Sequence, residues 1–370
     1  MIDNESELLY NFTIGVLLLV ISNRRSLQVL YEVSLYVDMC REKCKTFIIG
    51  DNAMSFKILG TGSKLAEKSV TNDDLAKIME TSDEWIRTRT GIGSRHVSTT
   101  ETASFLAIEA TKNAFGNCSV KPSDIDCVIC ATMRGDTFTP SVACAVAEAL
   151  GINAPAYDVN AACTGMIYAF DIADSYIKSG KYDNILVVTV EQMSKLIDWT
   201  DRASCVLFGD GAGAAVLGKG DGLMAINISC APSTTMIHGE SFSGTSVFSE
   251  LPEVKPVLHM QGQEVYKFAV SAMMAEIDKV LAEAKLEKSD IDYFLPHQAN
   301  IRIIEGAAKR LGLSKDRVLT NIETCGNMSA TSISVLLDEY NRKNTFKKGD
   351  KLLLVAFGAG MTSGACVIEW

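Results

Sequence analysis

The sequence predicts an α/β protein built from two similar halves. From Met54 onward, short apolar strands alternate with alanine-rich helical stretches, the pattern of a sheet covered by helices. Two segments also recur in the same order. "KPSDIDCVI" begins at Lys121 and "EKSDIDYFL" at Glu287; "FGDGAGAAVL" begins at Phe208 and "FGAGMTSGACVI" at Phe357. One such match is within reach of chance, whereas two in order point to a duplicated unit. A length of 370 residues fits two units, since a domain takes roughly 150 residues.

Strands are expected at 56–59, 125–133, 184–191, 291–295 and 351–357, where apolar residues run together. Helices are expected at 103–115, 166–177, 268–284 and 301–311. The chain divides into an extension over 1–53, a first half over 54–222 and a second over 223–370. A ligand site belongs between two such halves.

Residues 14–21 are apolar apart from Gly15, but a membrane span needs ~20 such residues. Asp3, Glu5 and Glu7 stand where a secretion signal is basic. The segment reads as an extension without catalytic work, with Met54 as a possible start of the core; an anchor or partner helix is the other reading. No stable membrane insertion is expected, and the protein is expected in the cytoplasm.

Acidic residues outnumber basic ones, 45 to 35, for a net charge of −10. That balance disfavours binding to a phosphate backbone, so no nucleic-acid partner is expected. Seven prolines and 27 glycines exclude a collagen-like or proline-rich chain. The 11 cysteines are odd in number and scattered, which reads as reduced thiols rather than a disulfide framework. Cys127 and Cys130 form a CxxC inside an expected strand, where residues i and i+3 face opposite sides. No second pair or nearby histidine completes a zinc set. Cys40 and Cys44 are likewise unaccompanied. Gly60 and Gly62 begin a dinucleotide-type turn, but Leu65 stands where its third glycine belongs.

Four segments place chemistry-bearing residues just after strands. "DVNAACTGM" puts Cys163 at the start of a helix, where free N–H groups and the positive dipole end favour a thiolate. By itself Cys163 also reads as a small buried cysteine. "PHQANIRI" supplies His297, "GNMSATSI" supplies Asn327, and "AFGAGMTSG" supplies a glycine turn around Ala359. Each is bland by itself; together they offer a nucleophile, a ring nitrogen, an amide and exposed backbone N–H groups.

These motifs, with "TSDEWIRTRTGI" and "FGDGAGAAVL", resemble those of the β-ketoacyl-[acyl carrier protein] synthase III family of the thiolase superfamily, over 54–370. The resemblance implies a thiolase-like, five-layered αβαβα fold of two duplicated halves, working as a homodimer. It implies a catalytic triad of Cys163, His297 and Asn327, with an oxyanion hole formed by the backbone N–H groups of Cys163 and Ala359. It places coenzyme A against Trp85, Arg89, Arg202 and Asn300. Phe138 in "DTFTP" falls on an aromatic that reaches into the partner's acyl pocket. Lys267 falls on a basic position of the family near the tunnel mouth. Arg302, Lys309 and Arg310, at i, i+7 and i+8, share one helical face that offers a docking surface for acyl carrier protein; a solvated helix face is the other reading. Ser363 stands where the family has a tryptophan, and Ala359 where it often has a glycine. His96, His238 and His259 belong to no motif and read as structural or surface residues.

The implied activity is the initiating condensation of fatty acid synthesis. It joins an acyl-CoA, most simply acetyl-CoA, to malonyl-[acyl carrier protein] through an acyl-cysteine. No cofactor or metal is expected, the CoA thioester being a substrate. The alternative is a related condensing or acyl-transfer enzyme of specialised metabolism with another primer. A thiolase needs a second catalytic cysteine, and neither Cys325 nor Cys366 replaces Asn327. A hydroxymethylglutaryl-CoA synthase needs a catalytic glutamate that no motif supplies. A dead CoA- or carrier-binding module conflicts with the intact Cys, His and Asn set.

Overall fold

The repeated aspartates do the same job twice. Asp126 accepts the N–H of Asn184 at 2.9 Å, and its own N–H donates to the Asn184 carbonyl at 2.8 Å. Asp292 accepts the N–H of Lys351 at 2.8 Å, and its N–H donates to the Lys351 carbonyl at 3.0 Å. Each therefore pins the first residue of the neighbouring parallel strand. The computed structural model describes residues 54–239, Phe248 and 257–370. The extension over 1–53, with Cys40 and Cys44, lies outside the described residues.

The first sheet is made from β1 (Ser55–Leu65), β4 (Cys127–Ala131), β5 (Ala156–Val159), β6 (Asn184–Gln192) and β7 (Asp210–Gly220), in the order β1-β7-β6-β4-β5. The second contains β8 (Leu223–Ser233), β11 (Tyr293–Pro296), β12 (Lys351–Gly358) and β13 (Gly360–Glu369), in the order β11-β12-β13-β8. Pairing repeats as well. The pairs β4–β6 and β11–β12 are parallel, while β6–β7, β7–β1, β12–β13 and β13–β8 are antiparallel. Hence β8, β13, β12 and β11 correspond to β1, β7, β6 and β4, and β5 is an addition to the first sheet. Two short ladders lie outside the sheets: β2 (Lys68–Thr71) with β3 (Ser94–Val97), and β9 (Ile237–Gly239) with β10 (Leu258–Met260).

Alternation along the strands sorts the core into layers. Ile129 and Leu354 face the middle, against Phe170 of α4 (Gly165–Lys178) and Leu336 of α7 (Thr331–Arg342). Val128 and Val188 face outward, against Leu106 of α2 (Ala103–Phe115) and Val146 of α3 (Val142–Leu150). Leu353 and Val355 face the opposite outer layer, against Met273 of α5 (Gly262–Ala284) and Ala307 of α6 (Ile301–Leu311). The result is the five-layered αβαβα thiolase-like fold. Cys127 and Cys130 fall into different layers, as strand geometry requires.

Several element boundaries shift: the strand expected over 56–59 runs on to Leu65 as β1, and the one expected over 291–295 is Tyr293–Pro296. The expected strand over 125–133 narrows to Cys127–Ala131: a single 3₁₀ turn, Pro122–Asp124, holds its start, and the Met133 N–H turns to the Glu191 carboxylate. The expected helix over 268–284 begins six residues earlier, at Gly262. Its first turns carry Gln263, Glu264, Tyr266 and Lys267, which have no apolar period to reveal them.

Candidate active site

Cys163 lies in the strand-to-helix turn between β5 and α4. A single 3₁₀ turn, Ala162–Thr164, precedes the helix. Ala162 takes φ 47°, the left-handed region that costs a non-glycine residue about 1 kcal/mol or more. Thr164 Oγ1 donates to the Ala161 carbonyl and to Thr362 Oγ1, while Thr362 Oγ1 also donates to the Ala359 carbonyl at 2.9 Å. The nucleophile turn of one half is thus laced to the glycine turn of the other.

His297 follows β11 and is held by its backbone N–H, which donates to the Val355 carbonyl at 2.8 Å. Its side chain is 1 % exposed, packs edge-on to Phe357, and leaves both ring nitrogens without a partner. Asn327 follows Gly326, whose φ of 67° suits glycine. Asn327 N–H donates to the Leu207 carbonyl, and its own carbonyl accepts from Gly209 N–H, both at 2.9 Å. Its Oδ1 accepts the Ser329 N–H at 2.8 Å, which assigns the NH₂ as its remaining donor end.

One cavity of about 320 Å³ brings Cys163, His297, Asn327 and Ala359 together, and Trp85, Arg89 and Asn300 line it too. The guanidinium carbons of Arg89 and Arg202 each lie 4.6 Å from the Trp85 ring centroid. Asn300 caps α6: its Oδ1 accepts the Arg302 N–H at 2.9 Å, and its Nδ2 donates to the Arg89 carbonyl at 3.0 Å. Phe138 stands apart from the cavity lining and is 94 % exposed. Lys267, Arg302, Lys309 and Arg310 are all exposed. Lys267 pairs with Glu264 at 2.9 Å, and an Arg302 Nη donates to the Thr88 carbonyl at 2.7 Å.

The electrostatics correct one expectation. The helix start does not by itself make Cys163 a ready thiolate: burial pushes its thiol up to about 12, against the opposing pull of the Ser329 hydroxyl. Burial also pushes His297 down to about 3, so its ring is neutral at ordinary pH and donates from one nitrogen only. Sequence reasoning missed three residues around the site. Phe357 flanks His297, Ser329 stands two residues after Asn327, and Glu191 is the last but one residue of β6 with its carboxylate buried. Ser363, in place of a tryptophan, is buried and donates to Glu276 at 3.3 Å. His96 Nδ1 meets the Ala66 carbonyl at 2.6 Å, and His238 stacks on His259.

No group of three or more His, Cys, Asp or Glu side chains suited to a metal ion occurs among the described residues. No helix among them is long and apolar enough to cross a membrane.

A duplicated thiolase-like fold with a cysteine, a histidine and an asparagine around one pocket defines a condensing acyltransferase. Residues 157–232 match the model of 3-oxoacyl-[acyl-carrier-protein] synthase III, and residues 281–370 match that of its C-terminal part. The β-ketoacyl-[acyl-carrier-protein] synthase III of Clostridium acetobutylicum is 45 % identical over 324 residues, covering 85 % of this chain and 99 % of that protein. The enzyme of the same name from Caldanaerobacter subterraneus subsp. tengcongensis is 46 % identical over 321 residues, covering 85 % and 97 %. The crystal structure of 3-oxoacyl-[acyl-carrier-protein] synthase III from Aquifex aeolicus superposes with a TM-score of 0.80 at 39 % identity, covering 85 % of this chain and all of that one. The chain belongs to the β-ketoacyl-[acyl carrier protein] synthase III family.

Proposed function

We propose that Cys163, His297 and Asn327 divide between them the decarboxylative Claisen condensation of an acyl-CoA with malonyl-[acyl carrier protein], the initiating step of fatty acid synthesis. The observation that carries this reading is the single cavity that gathers those three side chains and the Ala359 backbone. In the first half-reaction Cys163 Sγ attacks the thioester carbon, CoA leaves as its thiolate, and the acyl group stays on sulfur. In the second, malonyl carried on its protein loses carbon dioxide. The carbon left behind attacks the acyl-cysteine, and the Cys163 sulfur departs. Covalent catalysis thereby splits one difficult condensation into two easier steps.

Decarboxylation puts negative charge on the malonyl thioester oxygen. His297 has two unpaired ring nitrogens and no competing partner, and Asn327 offers its NH₂. Neutral donors aimed at that oxygen stabilise the enolate without solvent rearrangement. The N–H groups of Cys163 and Ala359 serve the acyl-cysteine oxygen in the same way. Trp85, flanked by Arg89 and Arg202, receives the adenine and phosphates of CoA, since an indole face and guanidinium groups suit both. Asn300 meets the pantetheine arm at the cavity wall.

The reaction needs no cofactor. Two features support a homodimer: β5 is an edge strand with an unpaired side, and Phe138 is bare. A partner copy would cover both, with Phe138 closing the partner's acyl pocket. Halves at 54–222 and 223–370 meet at the break between β7 and β8. A cytoplasmic place is supported by the free thiols of all nine cysteines among the described residues. The relatives' shared name favours the fatty acid reading over specialised metabolism, with acetyl-CoA as the simplest primer.

Mixing the protein with a panel of acyl-CoAs and weighing the acyl-enzyme tests this reading. The adduct should sit on Cys163 and be absent from Cys163→Ser, a hydroxyl being a far poorer nucleophile without a dedicated base. An acyl group on any other cysteine would overturn the assignment.

A further inference from the structure

The short ladder of β9 and β10 has two faces of different character. Its register sets Ile237 opposite Met260, His238 opposite His259 and Gly239 opposite Leu258. Side chains alternate along a strand, so Ile237, Met260 and Leu258 share one face, and all three line the cavity that holds Cys163. The two histidines share the other face and take no part in the proposed reaction. Side chains directly opposed across two strands start from Cβ atoms about 4.5–5.5 Å apart. Here the two rings stand 5.1 Å apart between centroids, with 28° between their planes.

That spacing suits a shared metal ion. An imidazole nitrogen binds such an ion at about 2.0–2.1 Å, which puts the ring centre about 3.2 Å from it, so two rings on one tetrahedral ion lie about 5 Å centre to centre. His238 Nδ1 is buried and has no hydrogen-bond partner, a costly state for a polar atom. His259 is exposed, so water reaches the pair. The outer torsion of a histidine side chain is soft, and each ring can turn one nitrogen to a common point while the strands stay paired. The other two histidines are engaged elsewhere: His96 Nδ1 meets the Ala66 carbonyl at 2.6 Å, and His297 is buried in the active site. The chain's net charge of −10 favours the approach of a cation.

We propose that His238 and His259 together chelate a divalent transition-metal ion of the kind imidazole favours, such as Zn²⁺ or Ni²⁺, and that the ion clamps β9 to β10 behind the cavity wall. Each ring binds as neutral imidazole, giving one nitrogen lone pair and keeping the hydrogen on its other nitrogen. Water fills the remaining positions, so the ion is exchangeable, unlike one enclosed by four protein ligands. No proton or electron is transferred, and Cys163, His297 and Asn327 keep their roles. The ladder has three paired residues on each strand, and positions 240–257 lie between them in the chain. A link across the histidines therefore ties both ends of that stretch and steadies Ile237, Leu258 and Met260 on the opposite face.

Isothermal titration with Ni²⁺ tests the site. Nickel suits imidazole, whereas soft thiolates select zinc or copper(I), so the free cysteines interfere least. The wild type should bind Ni²⁺ at this pair. His238→Asn and His259→Asn should each weaken binding on the order of 10²-fold, because the second ring binds at the high effective concentration set by the ladder. His259 is exposed, so His259→Asn decides the matter if His238→Asn does not fold. Nickel should also shield His238 and His259, but not His96, from diethyl pyrocarbonate, read by peptide mass. Amide hydrogen exchange over 237–239 and 258–260 should slow when the ion is bound. Equal nickel affinity in the wild type and a folded His259→Asn overturns the chelate. Nickel held by the pair with exchange unchanged in both strands overturns the clamp.

Discussion

Gly358 stands directly against Cys163: a Cβ on Gly358 would lie 2.8 Å from the Cys163 amide nitrogen and 3.3 Å from its Cβ. The end of β12 thus rests on the nucleophile turn, and Ala359 follows immediately at the cavity wall. Any side chain at 358 must push the two apart. Gly358→Ala should slow acylation of Cys163 by about 10²-fold, since a displacement near 1 Å at a reacting centre costs roughly that much. Timed mass measurement of the acyl-enzyme reads the rate, with circular dichroism as the fold control. An unchanged rate would show that the turn relaxes without moving the sulfur.

In the proposed division of labour Asn327 is the residue that separates the two half-reactions. Its NH₂ is assigned to the enolate oxygen of the second step and to nothing in the first. Asn327→Ala should leave acylation of Cys163 largely intact and slow condensation by ~10²–10³-fold, the usual loss for one transition-state donor. Carbon dioxide release from malonyl-[acyl carrier protein] reads the second step. Equal losses in both steps would make Asn327 a structural residue of its turn.

Much of the fold was legible because the sequence repeats itself. Asp126 and Asp292 perform identical strand-pinning, so the same short segment marks the same place in each half. The helices over Ala103–Phe115 and Ile301–Leu311 were legible to the residue, because each has a capping residue at its start, Thr102 and Asn300. The strands β7 and β13 were harder to read as strands. "DGAGAAVLGKG" and "GMTSGACVIE" are rich in small residues, so they lack the β-branched alternation that marks a strand. Of the site, Cys163, His297 and Asn327 were legible, whereas Ser329 and Phe357, although inside motifs, and Glu191, outside them, were not. Cys163, His297 and Asn327 each sit in a distinctive turn after a strand. Glu191 lies near the end of an apolar strand, in no motif that would mark it as part of a site. Only the fold shows that it points inward, behind Ser329. The thiol's raised pKa was hidden for the same reason: the helix start is visible in sequence, whereas burial is a property of packing.

Acyl carrier protein is generally acidic, and this chain carries a net charge of −10, so overall attraction cannot bring them together. A local patch can, because steering depends on nearby charge rather than the total. Arg302, Lys309 and Arg310 are exposed on α6, while its Ile303, Ile304 and Ala307 are buried. Asn300, which caps the helix, lines the cavity, so Arg302, the first residue of the basic face, stands two residues from the cavity wall. Arg302 is already steadied by the Thr88 carbonyl, which restricts the side chain without neutralising it. Lys267 is partly offset by Glu264 and contributes less to the field. Reversing Arg302 and Lys309 to glutamate should raise the apparent Michaelis constant for malonyl-[acyl carrier protein] by about tenfold or more, each buried or close ion contact being worth on the order of 1 kcal/mol. Acylation of Cys163 by acyl-CoA should hardly change, because the site proposed for CoA is at Trp85 and Arg202 instead. The wild-type carrier step should weaken as salt is added, since exposed charges are screened within about 10 Å at 0.1 M. Steady-state rates with each substrate varied in turn measure both effects. Unchanged carrier-protein kinetics in the double variant would move the docking face away from α6.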